Sequence, residues 1–338
     1  MNLLVTGGAG FIGSHYVKLV LNTHPEDSVL VLDKLTYAGN LRNLEDVTNH
    51  PRYRFVLGDI CDPDIVSEVM TGIDAVLNFA AETHVDRSLT EPASFIETDV
   101  RGTYTLLDAA KSAGAGRFLQ VSTDEVYGSI EDGSFGETDR LSPSSPYSAS
   151  KAGGEMMVMA YHATYAMDTI ITRGSNNYGP FQYPEKLIPL FITNALEDQP
   201  LPLYGDGANV RDWIHVEDHC RGIDLALRKG QPGAIYNIGG GNEYSNKQIT
   251  YDILAHLGKD ETLIKRVEDR PGHDRRYSID TRKIRELGWS PKHSFEDGLA
   301  ATVAWYSERR DWWEPLKSGE YRTYYQSMYA ERLSKAKP

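Results

Sequence analysis

Leu3-Leu4-Val5-Thr6-Gly7-Gly8-Ala9-Gly10-Phe11-Ile12-Gly13 decides the fold. A short apolar strand runs directly into glycines, and the residues after them, Phe11 to Asn22, carry apolar side chains at helical spacing. In a strand–turn–helix of this kind Gly7 permits the tight turn and Gly10 lets a pyrophosphate approach the backbone, while Gly13 lets helix and strand pack closely. The spacing is Gly-x-x-Gly-x-x-Gly rather than the commoner Gly-x-Gly-x-x-Gly. A second strand, Val29 to Asp33, ends on a carboxylate, the position that hydrogen-bonds an adenosine ribose. A carboxylate there repels a 2′-phosphate, which favours NAD over NADP; the adjacent Lys34 weakens that preference slightly. Asp59-Ile60, after a third strand at Arg54 to Leu57, reads as facing the adenine.

Outward from this unit, strand and helix patterns keep alternating. Ala75 to Phe79, Phe118 to Ser122 and Ile170 to Arg173 read as further strands, and Ser94 to Ala113 as a helix between them. Such alternation predicts an α/β, Rossmann-type doubly wound parallel sheet. After Arg173 the pattern loosens around Pro180, Pro184, Pro200 and Pro202. Strands are predicted at Leu201 to Tyr204, Ala234 to Ile238 and Leu263 to Val267, with helices at Glu217 to Lys229, Asn246 to Leu257 and Phe295 to Glu308. The expected division is a cofactor-binding domain over 1–178, with 205–240 contributing in part, and a smaller lobe formed mainly by 179–330, over the strand ends where open parallel sheets bind ligands. The chain of 338 residues, 40% hydrophobic and 25% charged, has an ordinary globular composition. Its net charge of -13 speaks against nucleic acid and acidic membranes as partners. Cys61 and Cys220 are too few for a disulfide framework or a zinc cluster, so no metal and a reducing cytoplasm are expected. No apolar run reaches bilayer length, and the chain starts on a strand with no room for a signal peptide.

The chemistry is concentrated in two short stretches. Tyr147 and Lys151 stand four apart in a helix introduced by Pro143 and Pro146, and so share a face. An ammonium beside a phenol lowers the pKa of the tyrosine, which makes Tyr147 a base for a hydroxyl proton while hydride leaves the same carbon. Thr123, at the end of the fifth strand, can hydrogen-bond the same oxygen. Beside it stand Asp124 and Glu125, which hydride transfer alone does not require. Two carboxyl groups this close do not both ionise cheaply, so one is expected to keep its proton. An enzyme that oxidises, takes one proton and gives another can eliminate water.

These residues carry a resemblance. Gly7 to Gly13, Ser122-Thr123, and Tyr147 with Lys151 resemble the extended short-chain dehydrogenase/reductases that act on nucleotide sugars. Ser122-Thr123-Asp124-Glu125-Val126-Tyr127-Gly128 further resembles the dTDP-glucose 4,6-dehydratases, as do Ala80 to Ser88, Arg173 to Pro180 and Arg270-Pro271-Gly272-His273-Asp274. Thr83 stands where the family more often has serine, and Lys317 to Pro338 matches nothing assignable. The resemblance implies that Tyr147, Lys151 and Thr123 serve oxidation at C4 of glucose, that Glu125 takes the C5 proton, and that a protonated Asp124 donates to the departing C6 hydroxyl. It puts Lys34, Leu35, Thr36, Ala80, Ala81, Thr98, Ser122 and Asn177 on the NAD side, with Glu82 in a nearby loop. On the substrate side it puts Thr83, His84, Asn176, Pro202, Tyr204, Arg211, Asn246, Arg270 and His273, together with Lys186 and Leu187 at the start of a helix that can face a phosphate. The implied partners are dTDP-glucose and a second copy of the chain, paired through Ser94 to Ala113 and Tyr147 to Tyr165. A UDP-glucose 4,6-dehydratase shares the Thr-Asp-Glu signature. A nucleotide-sugar 4-epimerase needs neither carboxyl group, a GDP-mannose 4,6-dehydratase usually carries only the glutamate, and a non-catalytic NAD-sensing scaffold tends to lose the tyrosine or the lysine.

Overall fold

The computed structural model describes residues 1–270 and 272–336. Pro271 of the Arg270–Asp274 motif and the final Lys337-Pro338 lie outside the described residues. Seven strands form one parallel sheet: β1 (Asn2–Thr6), β2 (Ser28–Asp33), β3 (Tyr53–Leu57), β4 (Ala75–Asn78), β5 (Arg117–Thr123), β6 (Thr169–Gly174) and β7 (Ala234–Ile238). Their spatial order is β7-β6-β5-β4-β1-β2-β3, so the winding reverses between β1 and β4. At such a reversal the loops leaving neighbouring strands part, and a crevice opens at the carboxyl edge of the sheet. Gly7, Asp33, Ala80, Thr123 and Gly174 all stand at or just past strand ends on that edge.

Helices cover both faces. One face carries the core of Tyr16, Val17 and Val20 against Val5, Val31 and Leu77, extended by Val216, Cys220 and Ile223 of the helix Val216–Lys229. The other carries Leu106, Leu107 and Val158 against Leu4, Val76 and Ile171. A separate core lies over the strand ends: Ile188, Phe191, Trp213, Ile253, Leu299, Tyr306, Trp312, Trp313 and Tyr329. It is bordered by two small sheets. One joins Asn176–Tyr178, Val210–His215 and Glu243–Ser245; the other pairs Leu201–Tyr204 with Ile264–Val267. The expected strand from Leu263 begins one residue later because Glu261–Leu263 turns as a 3-10 helix capped by Asp260.

The helix expected over Ser94 to Ala113 is less regular than its periodicity suggests. It runs as a short helix Pro92–Phe95, a π-helical stretch Ile96–Gly102, then α-helix Thr103–Ala113. The wide turn accommodates the helix Pro146–Tyr165, whose Gly153 and Gly154 allow close approach. A Cβ at Gly154 would stand 2.6 Å from the Asp99 carbonyl oxygen. This long helix starts with Pro146 in its first turn and a capping box in which Ser145 and Ser148 satisfy each other's backbone N–H at 3.1 Å. Its first turns therefore sit rigidly beside the end of β5, with Tyr147 and Lys151 on the facing side.

Candidate active site

The glycine loop is a cradle that side chains would fill. Gly7 has φ 67°, and a Cβ there would stand 2.6 Å from the Ala80 nitrogen. A Cβ on Gly13 would run into the Gly7 carbonyl. The helix Phe11–Thr23 begins after Gly10 with no side-chain cap, which leaves its first N–H groups for an anion. Asp33 accepts the Ala9 N–H at 2.9 Å and the Leu35 N–H at 2.8 Å, tying the loop to the end of β2 while its carboxylate borders the crevice. Burial raises its pKa. Lys34 lies 3.4 Å from Glu82 and 3.6 Å from Asp59, and its ammonium donates to Thr98 at 3.2 Å. Its charge is thus already matched by two carboxylates, which leaves little of it for a 2′-phosphate. These residues fit an adenine dinucleotide without that phosphate.

Every cofactor-side residue named from the sequence lines one cavity of about 280 Å³ except Leu35 and the loop residue Glu82. The Leu35 backbone turns to φ 53° to bond Asp33, and its side chain packs on the core below the sheet edge. Thr83, Thr123, Asp124 and Glu125 line the same cavity. A second cavity, about 150 Å³, gathers His84, Leu187, Pro202, Tyr204, Arg211, Asn246, Arg270 and His273. The two spaces share Glu125, Asn176, Glu185 and Lys186. A ligand reaching through both would present its middle to those four residues.

At the junction Thr123 caps the turn Asp124–Tyr127, its hydroxyl accepting the Glu125 N–H and donating to Asp124 Oδ1, both at 3.2 Å. Asp124 is 2% exposed, and its Oδ2 is buried without a hydrogen-bond partner. Burial holds its pKa far above the carboxylate range, and the neighbouring Glu125 and Asp212 add to this. Burial also raises Glu125, but Arg270, Arg211 and Lys186 oppose the shift. The pair is thereby split: Asp124 holds its proton and Glu125 is the more readily ionised. Tyr147 departs from expectation. Burial, then Glu125, Asp99 and Asp124, push its phenol well above 10, and only Thr123 among the leading influences pulls the other way. Lys151, expected to lower it, donates instead to the Val121 carbonyl at 3.0 Å. The acids around the phenol outweigh one ammonium engaged elsewhere.

The second cavity is lined by cations and aromatic rings. Arg211 is 5% exposed, held by the Val210 and Asp274 carbonyls at 2.8 and 2.9 Å, and lies 4.2 Å from the Tyr277 ring centre. Arg270 donates to Asp86 at 2.8 Å and leaves Nε buried and unpartnered. Burial lowers the pKa of Lys186. The helix Leu187–Leu196 starts here with no side-chain cap, though Pro189 has no N–H to offer. His273 holds Asp269 at 2.6 Å and meets the Tyr204 ring edge-on at 6.0 Å. Ser122 Oγ, Ser175 Oγ, Asn176 Oδ1 and Asn246 Oδ1 are further buried polar atoms without partners on these walls. Such a concentration of unsatisfied groups marks where a polar ligand belongs.

Sequence reasoning missed Glu185, which is 4% exposed, takes Arg87 Nε at 3.0 Å and turns an unpartnered Oε1 toward the junction. It also missed His219, whose Nδ1 lies 3.0 Å from Asn177 Oδ1 and fixes that amide. Away from both cavities, ligand-type atoms of His215, Glu217 and His293 lie within 4.8 Å of one another. His215 caps its helix by accepting the Glu217 N–H, and its ring lies against that of His293 at 4.1 Å, tilted by 31°, so packing accounts for the trio.

Comparison with known proteins agrees with this geometry. A family model described as GDP-mannose 4,6 dehydratase matches residues 4–302. A dTDP-glucose 4,6-dehydratase of Streptomyces niveus is 53% identical over 328 residues, covering 96% of this chain and 98% of its own. The crystal structure of a dTDP-glucose 4,6-dehydratase from Streptomyces venezuelae with NAD bound superposes with a TM-score of 0.93 at 58% identity, over 94% of this chain and all of its own. That of a Bacillus anthracis dTDP-glucose 4,6-dehydratase in complex with NAD gives 0.88 at 49%, over 94% of this chain and 100% of its own. With the glycine cradle, the Tyr147/Lys151 helix and the split carboxyl pair at one sheet edge, and with identity of this level along nearly its whole length, the chain belongs to the dTDP-glucose 4,6-dehydratase family.

Proposed function

We propose that the protein is a hydro-lyase that converts dTDP-glucose to dTDP-4-keto-6-deoxyglucose with NAD as a retained cofactor. The observation that carries this reading is the unequal electrostatics of two adjacent carboxyl groups, both raised by burial, with acidic neighbours lifting Asp124 further and three cations opposing the rise at Glu125. Asp124 is buried with an unpartnered oxygen, whereas Glu125 faces Arg270, Arg211 and Lys186. Elimination of water needs one acid and one base at the same place, and an epimerisation needs neither.

The NAD cradle comprises Gly7, Gly10 and Gly13, with Asp33 toward the ribose and Asn177 toward the nicotinamide. Bound NAD would supply the reversible oxidation, as acceptor of the C4 hydride and donor of the same hydride to C6. The chain does the rest. Thr123 and Tyr147 hold the C4 oxygen, and Tyr147 takes its proton; the acids around it favour the neutral phenol, so this step depends on the positive charge that bound NAD would add beside it. Lys151, fixed on the Val121 carbonyl, adds positive potential behind the phenol. Once C4 is a ketone, the C5 proton is acidic enough for Glu125 to remove it. Asp124 then gives its proton to the C6 oxygen, which leaves as water, and once hydride has returned to C6 Glu125 gives its proton back to C5. Lys186, Arg211, Arg270 and the uncapped start of the helix Leu187–Leu196 receive the diphosphate, with Tyr204 and His273 beside the base. Residues 1–178, with 205–240 contributing in part, then serve mainly the cofactor and 179–330 mainly the nucleotide sugar.

The decisive experiment incubates the purified protein with dTDP-glucose, then adds alkali and reads the ultraviolet absorbance of the 4-keto product. Failure with both dTDP-glucose and UDP-glucose would overturn the assignment. The same assay run in parallel ranks thymine against uracil. A homodimer is part of the proposal, supported by exposed Ile96, Tyr104, Met156, Met159 and Tyr165 on the two helical segments expected to pair. A cytoplasmic setting is proposed from the free Cys61 and Cys220. Among the described residues no helix is long and apolar enough to cross a membrane.

A further inference from the structure

The helix Glu320–Ser334 lies beyond residue 302, where the family model ends, and matches no motif. Its contacts nevertheless converge on the second cavity. Near its end, Arg332 Nη1 donates to the Tyr204 hydroxyl at 2.8 Å. Tyr329 lines the cavity itself, 6% exposed, with its hydroxyl 3.5 Å from that of Tyr204. Tyr204 in turn donates to Asp86 at 3.1 Å, and Asp86 holds Arg270 at 2.8 Å. Nearer its start, the Tyr324 hydroxyl lies 3.0 Å from His84 Nδ1. The Arg87 guanidinium is held between the Tyr37 and Tyr324 rings at 3.7 and 4.2 Å, with its Nε on Glu185.

A tyrosine hydroxyl has one proton to give, and Tyr204 gives it to Asp86. Its lone pairs then require a donor, which Arg332 supplies as a charge-assisted bond. Without that donor Tyr204 regains side-chain freedom, and Asp86 and Arg270 lose a fixed neighbour. His84 sits at φ 84°, a left-handed conformation costly for a residue with a Cβ, so the Tyr324 hydroxyl secures a side chain whose backbone is already strained.

We propose that Tyr324, Tyr329 and Arg332 are positioning residues for the nucleotide sugar: the helix Glu320–Ser334 forms the outer wall of the second cavity, and through Tyr204 and His84 it orients the groups that grip the nucleoside diphosphate. This rests on the reading of that cavity as the nucleotide-sugar end. The test uses the full chain with its NAD. In Arg332→Ala, KM for dTDP-glucose and the calorimetric Kd for dTDP are each expected to rise about tenfold, with kcat within about twofold and NAD content unchanged. Arg332→Lys, which keeps a donor, recovers part of the loss. Tyr324→Phe removes a single hydroxyl and is expected to raise KM about threefold, which keeps the test open should Arg332→Ala fold poorly. Unchanged KM and Kd in both the Arg332→Ala and the Tyr324→Phe proteins would overturn the proposal, as would a fall in kcat at constant KM. Absence of turnover and of dTDP binding in the unaltered protein would instead overturn the reading beneath it.

Discussion

Two pairs of buried charged groups lie close together in this molecule and behave in opposite ways. Behind β5 and β6, Glu155 and Arg173 are 0% and 2% exposed, and the guanidinium meets the carboxylate through Nε at 3.1 Å and Nη2 at 2.6 Å. Arg173 also donates to Tyr127 at 2.7 Å, and Tyr127 donates onward to Asn237. Every strong donor there has an acceptor. At the carboxyl end of the same two strands, Asp124 is equally buried but has an empty oxygen, an acidic neighbour and no guanidinium in bonding contact. Burial alone therefore does not separate chemistry from architecture. Pairing does: a satisfied buried charge holds the fold, and an unsatisfied one is available for a substrate.

The comparison can be broken most directly at its reactive member. Changing Asp124 to Asn together with Glu125 to Gln is expected to cut dehydration by at least about 10²–10⁴-fold, the scale of general acid–base catalysis. Oxidation at C4 should survive, so reduced cofactor would build up without 4-keto-6-deoxy product; undiminished dehydration would remove the pair from the mechanism. Tyr147→Phe should lose oxidation and dehydration together by about 10²–10⁴-fold. NAD should stay bound, so any reduced cofactor in that protein counts against Tyr147 as the base. The satisfied pair should answer in stability instead. Arg173→Met leaves Glu155 buried and alone, with an expected loss of about 3–5 kcal/mol in urea unfolding, whereas replacing both partners with apolar residues should cost far less. If Arg173→Met were as stable as the parent, the contrast would collapse.

Two smaller effects sharpen it. His15 is a half-buried titratable group that donates to the Pro180 carbonyl at 3.0 Å, and loss of solvent around its ring lowers its pKa to about 4. The folded state therefore excludes a proton that the unfolded state binds below its ordinary value of 6.5. Stability from this group is complete above that value and drains away as the pH falls toward about 4. His15→Gln should flatten this acid limb by about 2 kcal/mol between neutrality and pH 5, measured by denaturant titration at each pH. Ser145→Ala removes the cap that starts the helix of Tyr147 and should cost about 1 kcal/mol in the same measurement.

Much of this is legible in the amino-acid sequence. The parallel sheet follows from runs such as Val29 to Asp33, whose apolar residues leave no polar face, and the crevice follows from glycines that only a close backbone approach requires. The three-stranded sheet was not legible, because Asn176–Tyr178 and Val210–His215 carry Asn, Arg, Asp and His where strand alternation would show. Glu185 was invisible for another reason. It stands in a Pro-rich loop, and its significance comes from Arg87, 98 residues away. The pKa of Tyr147 failed similarly: spacing brings Lys151 onto its face of the helix, but only the folded chain adds Asp99, Asp124 and Glu125 around it.

The contact of Gly153 and Gly154 with Val100 and Asp99 has a mechanical consequence. It acts as the fulcrum of a rigid rod whose capped end carries Tyr147 about 10 Å away along the axis. A tilt of about 6° about that point would swing the phenol about 1 Å, a displacement that can cost about 10²-fold in rate. Two absent side chains, at positions that line neither cavity, thus set the aim of the base. A single methyl group added at Gly154 would work as a lever on the chemistry without touching any reacting atom.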